Sequence, residues 1–177
     1  MADMDRRRRA HEDPDLGMLA GRTLFALQRG LFAELAAQGH DELRPRHGAV
    51  LAYLDDAGTR ATELAARSGR HKQVIGTLVD ELVELGYVER RRDPADRRAK
   101  LIVPTGKGRD LISRSDAILA AMEAAHARAV GEEAYAEFKR VFRLIAARQT
   151  ALTTDTGAQA TLTAGADSTT LTADAGA

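Results

Sequence analysis

The chain has 177 residues, 44% hydrophobic and 29% charged, with 26 basic and 26 acidic side chains and no cysteine. That length suits one domain with tails and a real core, and the lack of cysteine excludes disulfides, thiolate zinc sites and sensing by cysteine oxidation. No apolar run is long enough to cross a membrane, and Arg6–Arg9 is followed by His11, Glu12 and Asp13 where an export signal needs apolar residues, so a cytoplasmic protein with no membrane partner is expected.

Residues 1–14 are charged and aperiodic and are expected to form a disordered basic arm. From Asp15, a plausible N-cap, the spacing of Leu16, Leu19, Leu24, Leu27, Leu31 and Leu35 predicts a helix over about 15–38, ended by Gly39. Pro45 suits the first turn of the next, short helix, which carries Val50, Leu51 and Leu54. A helix over Ala61–Ser68 follows, then a turn at Gly69. A second helix carries the apolar stripe Val74, Ile75, Leu78, Val79, Leu82 and Val83, and ends at Gly86. Tyr87–Arg92 alternates as a strand, Lys100–Val103 returns as its partner, and Asp93–Arg98 forms the hairpin tip. Pro104 is expected to break the strand and Thr105 to cap a helix reaching about Val130. After Gly131 a final helix carries Tyr135, Phe138, Val141, Phe142, Leu144 and Ile145. Beyond Thr150 the composition shifts to Thr, Ala, Gly and Asp, so 151–177 is expected to be a disordered tail. The fold class is therefore mainly α with a small antiparallel β-wing: a reading head over about 45–104 between helical segments over about 15–38 and 105–150.

The zero net charge hides local clustering. Between Arg90 and Lys100 stand six cations (Arg90, Arg91, Arg92, Arg97, Arg98, Lys100) against two acids, Asp93 and Asp96. A helix-turn-helix followed by a basic hairpin suits double-stranded DNA. The start of the second helix enters the major groove, and the hairpin reaches phosphates or the neighbouring minor groove. On the second helix Arg70, His71, Lys72, Gln73, Gly76 and Thr77 are the candidates. Gln73 suits adenine, Lys72 guanine or phosphate, and Thr77 a thymine methyl. Gly76 is either a place of close backbone approach or simply a tolerated glycine. In the wing the candidates are Arg91, Asp96, Arg97, Arg98 and Lys100. Arg98 is the expected minor-groove cation, oriented by a charge-assisted hydrogen bond to Asp96; the alternative for Asp96 is a hairpin-stabilising carboxylate with no role on DNA, and the two roles can coexist. Arg97 and Lys100 are expected at phosphate. On strand alternation Arg91 faces away from Arg90 and Arg92.

Leu64-Ala65, Leu78-Val79-Asp80-Glu81-Leu82, Gly86-Tyr87-Val88-Glu89-Arg90, Asp93 to Leu101 and Thr105-Gly106-Lys107-Gly108 together resemble the MarR family of bacterial winged helix-turn-helix regulators. The resemblance extends from about Leu16 to about Thr150, with the wing's Asp-x-Arg element on Asp96 and Arg98. One departure is His71, where the family usually has a Ser or Thr that caps the helix. The resemblance implies a homodimer joined by the first and last helices, which occupies a palindromic promoter site, usually as a repressor. It also implies an effector cavity near Arg46, His47 and Tyr53, whose cationic and aromatic character suits an aromatic carboxylate.

Other chemistries find no pattern. The five histidines (His11, His40, His47, His71, His126) match no zinc-enzyme motif, and Gly106-Lys107-Gly108 lacks the rest of a phosphate loop. No nucleophile motif occurs, so neither an enzyme nor a cofactor or metal is expected. The alternative that stays open is a winged helix docking an acidic protein partner.

Overall fold

The computed structural model describes residues 13–96 and 98–167, and of 153–167 only the helical backbone. Most of the basic arm, Arg97 and residues 168–177 therefore lie outside the described residues. The chain divides into two compact units, Met1–Ala121 and Met122–Ala177.

In the first unit Asp15 starts α1 (Leu16–Ala37) as its spacing predicts, its carboxylate accepting the Met18 N–H at 2.8 Å. A single 3-10 turn, Pro45–His47, leads into the one-turn helix α2 (Gly48–Leu51). The helix-turn-helix is α3 (Ala61–Ser68), Gly69 in the left-handed region at φ 65°, and α4 (Lys72–Glu84). The four most deeply buried side chains of α4, Ile75, Leu78, Val79 and Leu82, recur at three- and four-residue spacing and belong to one core cluster with Leu64, Val50 and Leu35.

A third strand joins the expected pair. β1 (Thr59–Arg60) and β2 (Val88–Arg92) lie antiparallel on either side of β3 (Lys100–Pro104). Two residues are too few for alternation to show in a sequence. What seats β1 is Gly58 at φ 98°, where a Cβ would come within 2.8 Å of Val103 Cγ2. Pro104 closes β3 opposite Val88 instead of lying outside the strand.

Thr105 caps α5 (Gly106–Val130) as expected, its hydroxyl oxygen accepting the Gly108 N–H at 3.1 Å. The same hydroxyl donates to the Gly86 carbonyl at 2.7 Å, and the Thr105 N–H donates to the Tyr87 carbonyl at 3.0 Å. These bonds draw the start of α5 onto the end of α4. The approach is so close that a Cβ at Gly108 would sit 2.0 Å from the Tyr87 carbonyl oxygen. Tyr87 itself is fully buried. Its hydroxyl donates to Glu42 at 3.0 Å and accepts from His40 Nδ1, and Lys107 lies over its ring, 4.3 Å from the centroid. Burial first, then the Glu42 carboxylate, push the Tyr87 hydroxyl pKa upward.

In the second unit Gly131 (φ 94°) separates α5 from α6 (Glu132–Asp167). The rings of Phe138 and Phe142 stack with centroids 5.5 Å apart, and Phe138 is 56% exposed. The compositional boundary at Thr150 lies inside α6, carried across by the good helix formers Ala146, Ala147, Arg148 and Gln149.

The Gly108 contact is a sharp constraint. Gly108→Ala is expected to lower unfolding stability by about 2–3 kcal/mol through overpacking against backbone. Gly106→Ala, whose added Cβ meets nothing within 4 Å, is expected to be neutral. Equal urea midpoints for the two variants would contradict the assignment.

Candidate nucleic-acid interface

The start of α4 is built for exposure. His71 stands at its N-cap with extended backbone (φ −60°, ψ 142°) and makes no side-chain cap bond, so the first free N–H groups of the helix are left without a hydroxyl or carboxylate partner of the usual kind. Arg70, His71, Lys72, Gln73 and Thr77 are all exposed. The Thr77 hydroxyl donates back to the Gln73 carbonyl at 3.2 Å, which leaves its methyl as the outward group. Gly76 is partly exposed, and a Cβ there would meet nothing within 4 Å, so packing does not require glycine.

Beside this helix start lies a cleft of about 360 Å³ whose lining includes Arg60, Lys72, Gly76, Arg90 and Lys100. The fold thus brings Lys72 and Gly76 of the helix together with Lys100 of the wing. It also adds Arg60, which nothing in the local pattern singles out.

The wing is held by a buried carboxylate. Asp93, 6% exposed, accepts the Arg60 Nε–H at 2.8 Å and the Ala95 N–H at 2.8 Å. The Ala95 N–H first, and then the Arg60 guanidinium, hold the Asp93 carboxyl below the usual carboxylate range. Asp96 acts differently from the expected orienting role. Its Oδ1 accepts the backbone N–H of Arg98 at 3.0 Å, so it shapes the hairpin and does not hold the guanidinium. The reason is local: in a turn the backbone N–H two residues on is the nearest donor to an aspartate.

Cations in and around the wing divide into two sets. Arg90 pairs with Asp80 at 2.7 Å and Arg91 with Glu89 at 2.8 Å, on opposite faces of β2 as alternation requires. Among the described residues, Arg70, Lys72, Arg92, Arg98 and Lys100 have no carboxylate partner. The unpaired set sits at the helix start and along the wing.

Arg46 and His47 meet on the recognition helix itself. Both reach Glu81 Oε2, at 3.0 and 2.8 Å. His47 is 1% exposed, and its Nδ1 accepts the Arg44 N–H, so Nε2–H is the donor to Glu81. His47 first, then Arg46, lower the Glu81 pKa. Tyr53 is not part of this group. Its backbone carbonyl accepts from Arg67, and its side chain is 39% exposed.

A profile described as the MarR family matches residues 42–99. YcgE of Bacillus subtilis, an uncharacterized HTH-type transcriptional regulator, is 40% identical over 75 residues. That match covers 42% of this chain and 48% of the other, so the chain spans about half the length of the curated relative it matches. Among solved structures, CouR of Rhodococcus jostii RHA1 bound to p-coumaroyl-CoA is 30% identical, with a TM-score of 0.61 over 74% of this chain and 91% of that one. The transcriptional repressor CouR bound to a 23-mer DNA duplex is 25% identical, with a TM-score of 0.63 over 78% and 96%. The MarR family protein Rv2887 of Mycobacterium tuberculosis, in complex with salicylic acid, is 26% identical, with a TM-score of 0.56 over 76% and 98%.

The Asp93 anchor has a pH signature. Its folded carboxyl binds a proton less readily than the unfolded one, so its stabilisation is complete above the ordinary aspartate pKa and is lost as pH falls through the lower folded value. Asp93→Asn is therefore expected to be less stable than wild type at neutral pH, with the gap closing as pH falls below about 4. Urea unfolding across pH 3–7 checks this, and a gap that stays constant would remove Asp93 from the role.

Proposed function

Because this chain belongs to the MarR family of transcriptional regulators, we propose that it binds a palindromic promoter site as a homodimer in the cytoplasm and represses there. The observation that carries this reading is the division of cations. Arg60, Arg90 and Arg91 are neutralised by carboxylates, while Arg70, Lys72, Arg92, Arg98 and Lys100 have none and line the helix start and the wing. Unpaired cations on a protein without net charge are what a polyanion with regular phosphate spacing recruits. In this reading Gln73, Lys72 and Thr77 meet base edges, Arg98 enters the minor groove, and Arg97 and Lys100 meet phosphate. Asp96 contributes by fixing the turn that presents Arg98.

The homodimer rests on two apolar surfaces. On α1, Leu16, Leu19, Leu24 and Phe25 are 48–68% exposed; on α6, Phe138 and Leu144 are 56% and 60% exposed. Faces of that kind are covered in a stable soluble assembly, and two-fold symmetry sets two reading heads against the two halves of a palindrome.

Release belongs to a small aromatic or anionic effector. Relatives bound to p-coumaroyl-CoA and salicylic acid support this, and Arg46 is placed to respond. An anion drawn to the exposed Arg46 competes with Glu81 for it, and Glu81 is the residue through which Arg46 and the buried His47 hold α4. Tyr53, on the segment that follows α2, supplies an aromatic surface nearby in sequence.

Selection of bound sequences from random duplex DNA at physiological salt, with the full chain, is expected to return a palindrome with half-sites about one helical turn apart. Recovery of no sequence above background would contradict the regulator reading and favour a winged helix that docks an acidic protein.

A further inference from the structure

Val74 belongs by spacing to the apolar stripe of α4, and its sequence position assigns it to the core. The structure places it outside. Val74 is 46% exposed, whereas its neighbours in the stripe, Ile75, Leu78, Val79 and Leu82, are 0%, 5%, 1% and 0% exposed. It is the third residue of the helix, in the turn that begins with Lys72 and Gln73. Thr77, three residues on, shares its flank of the helix. Because the Thr77 hydroxyl is engaged by the Gln73 carbonyl, Val74 and Thr77 together present methyl groups to solvent.

Resting on the DNA-reading function above, we propose that Val74 is a specificity-determining residue that reads the 5-methyl group of a thymine in each half-site. The chemistry leaves few other choices. A valine side chain has no donor or acceptor, so it discriminates among base edges through shape and apolar contact alone, and the thymine methyl is the apolar feature of the major-groove edge. Valine and threonine are also stiff about χ1, so ordering them against a base costs little entropy. An exposed helix position with nothing to contact is better served by alanine or a long polar residue. The neighbouring polar side chains divide the work: Gln73 carries hydrogen-bond readout, Lys72 carries charge, and Val74 adds a dry contact that neither can make.

The test uses the duplex recovered by selection, with each thymine of the half-site replaced in turn by deoxyuridine, which removes only the 5-methyl group. Affinities are measured for the full-length wild type and for Val74→Ala. At one thymine per half-site the wild type is expected to lose about fourfold in affinity per methyl, while Val74→Ala binds both duplexes alike. Alanine at an exposed helical position keeps the fold. The supporting result is therefore a variant that still selects the palindrome but has lost discrimination, binding the thymine duplex more weakly than wild type by about the fourfold per methyl that deoxyuridine costs the wild type. Wild-type indifference to deoxyuridine at every thymine overturns the inference and leaves the regulator reading standing. A deoxyuridine penalty of equal size in both proteins also overturns it and assigns the methyl to another residue such as Thr77. If selection returns no sequence, the regulator reading fails and this inference fails with it.

Discussion

The close approach of α5 to the Tyr87 carbonyl is the constraint from which the reading head takes its form. Tyr87 is the last residue before β2, and its N–H still donates to the Leu82 carbonyl of α4 at 2.9 Å. The same residue's carbonyl accepts from Thr105 at the start of α5. One residue therefore ties the end of the recognition helix, the base of the wing and the start of a long helix. Only glycine at 108 lets these three meet. Around that point the buried phenol joins His40 and Glu42, from the segment after α1, to Lys107 of α5. Partners of this kind let a buried hydroxyl be tolerated where an unpaired one would be costly.

Two further clamps orient what this junction holds. Glu81 receives Arg46 and His47, so the outer flank of α4 is tied to the 3-10 turn before α2. Asp93 receives Arg60, so the wing is tied to the residue that ends β1 and precedes α3. Both clamps use a carboxylate on α4 or the wing and a guanidinium or imidazole on the segments that precede them in sequence. Each clamp has one buried partner, His47 in the first and Asp93 in the second, and a buried polar group of this kind is costly to leave unpaired. They also orient a helix and a hairpin on which, among the described residues, Arg70, Lys72, Arg92, Arg98 and Lys100 have no carboxylate partner.

The sequence makes the regular parts of this molecule legible and hides the pairwise ones. Apolar spacing announces α1 and α4, the turn at Gly69 marks the end of α3, and Asp15 and Thr105 cap where their residue types suggest. β1 is too short for any period to reveal it. The Arg60–Asp93 and His47–Glu81 pairs join residues 33 and 34 positions apart, a separation at which residue identity carries no local signal. Val74 fails for the opposite reason. A hydrophobicity stripe is drawn by residue type, and a valine at its margin is indistinguishable from a core residue until the helix is packed. Asp96 and Arg98 stand where the Asp-x-Arg spacing puts them, yet the turn directs the carboxylate to the backbone N–H. Arg46 and His47 do come together, but on Glu81 of the recognition helix, with Tyr53 apart from them.

The account's central claim is that the cations left unpaired at the helix start and wing meet phosphate and groove. The salt dependence of affinity for the selected duplex tests it most directly, measured for wild type and for Arg98→Glu. Counterion release predicts that log affinity falls steeply and linearly with log salt for the wild type, with a slope shallower by about one per removed contact in the variant. An affinity insensitive to salt, or identical slopes and affinities for the two proteins, would contradict it.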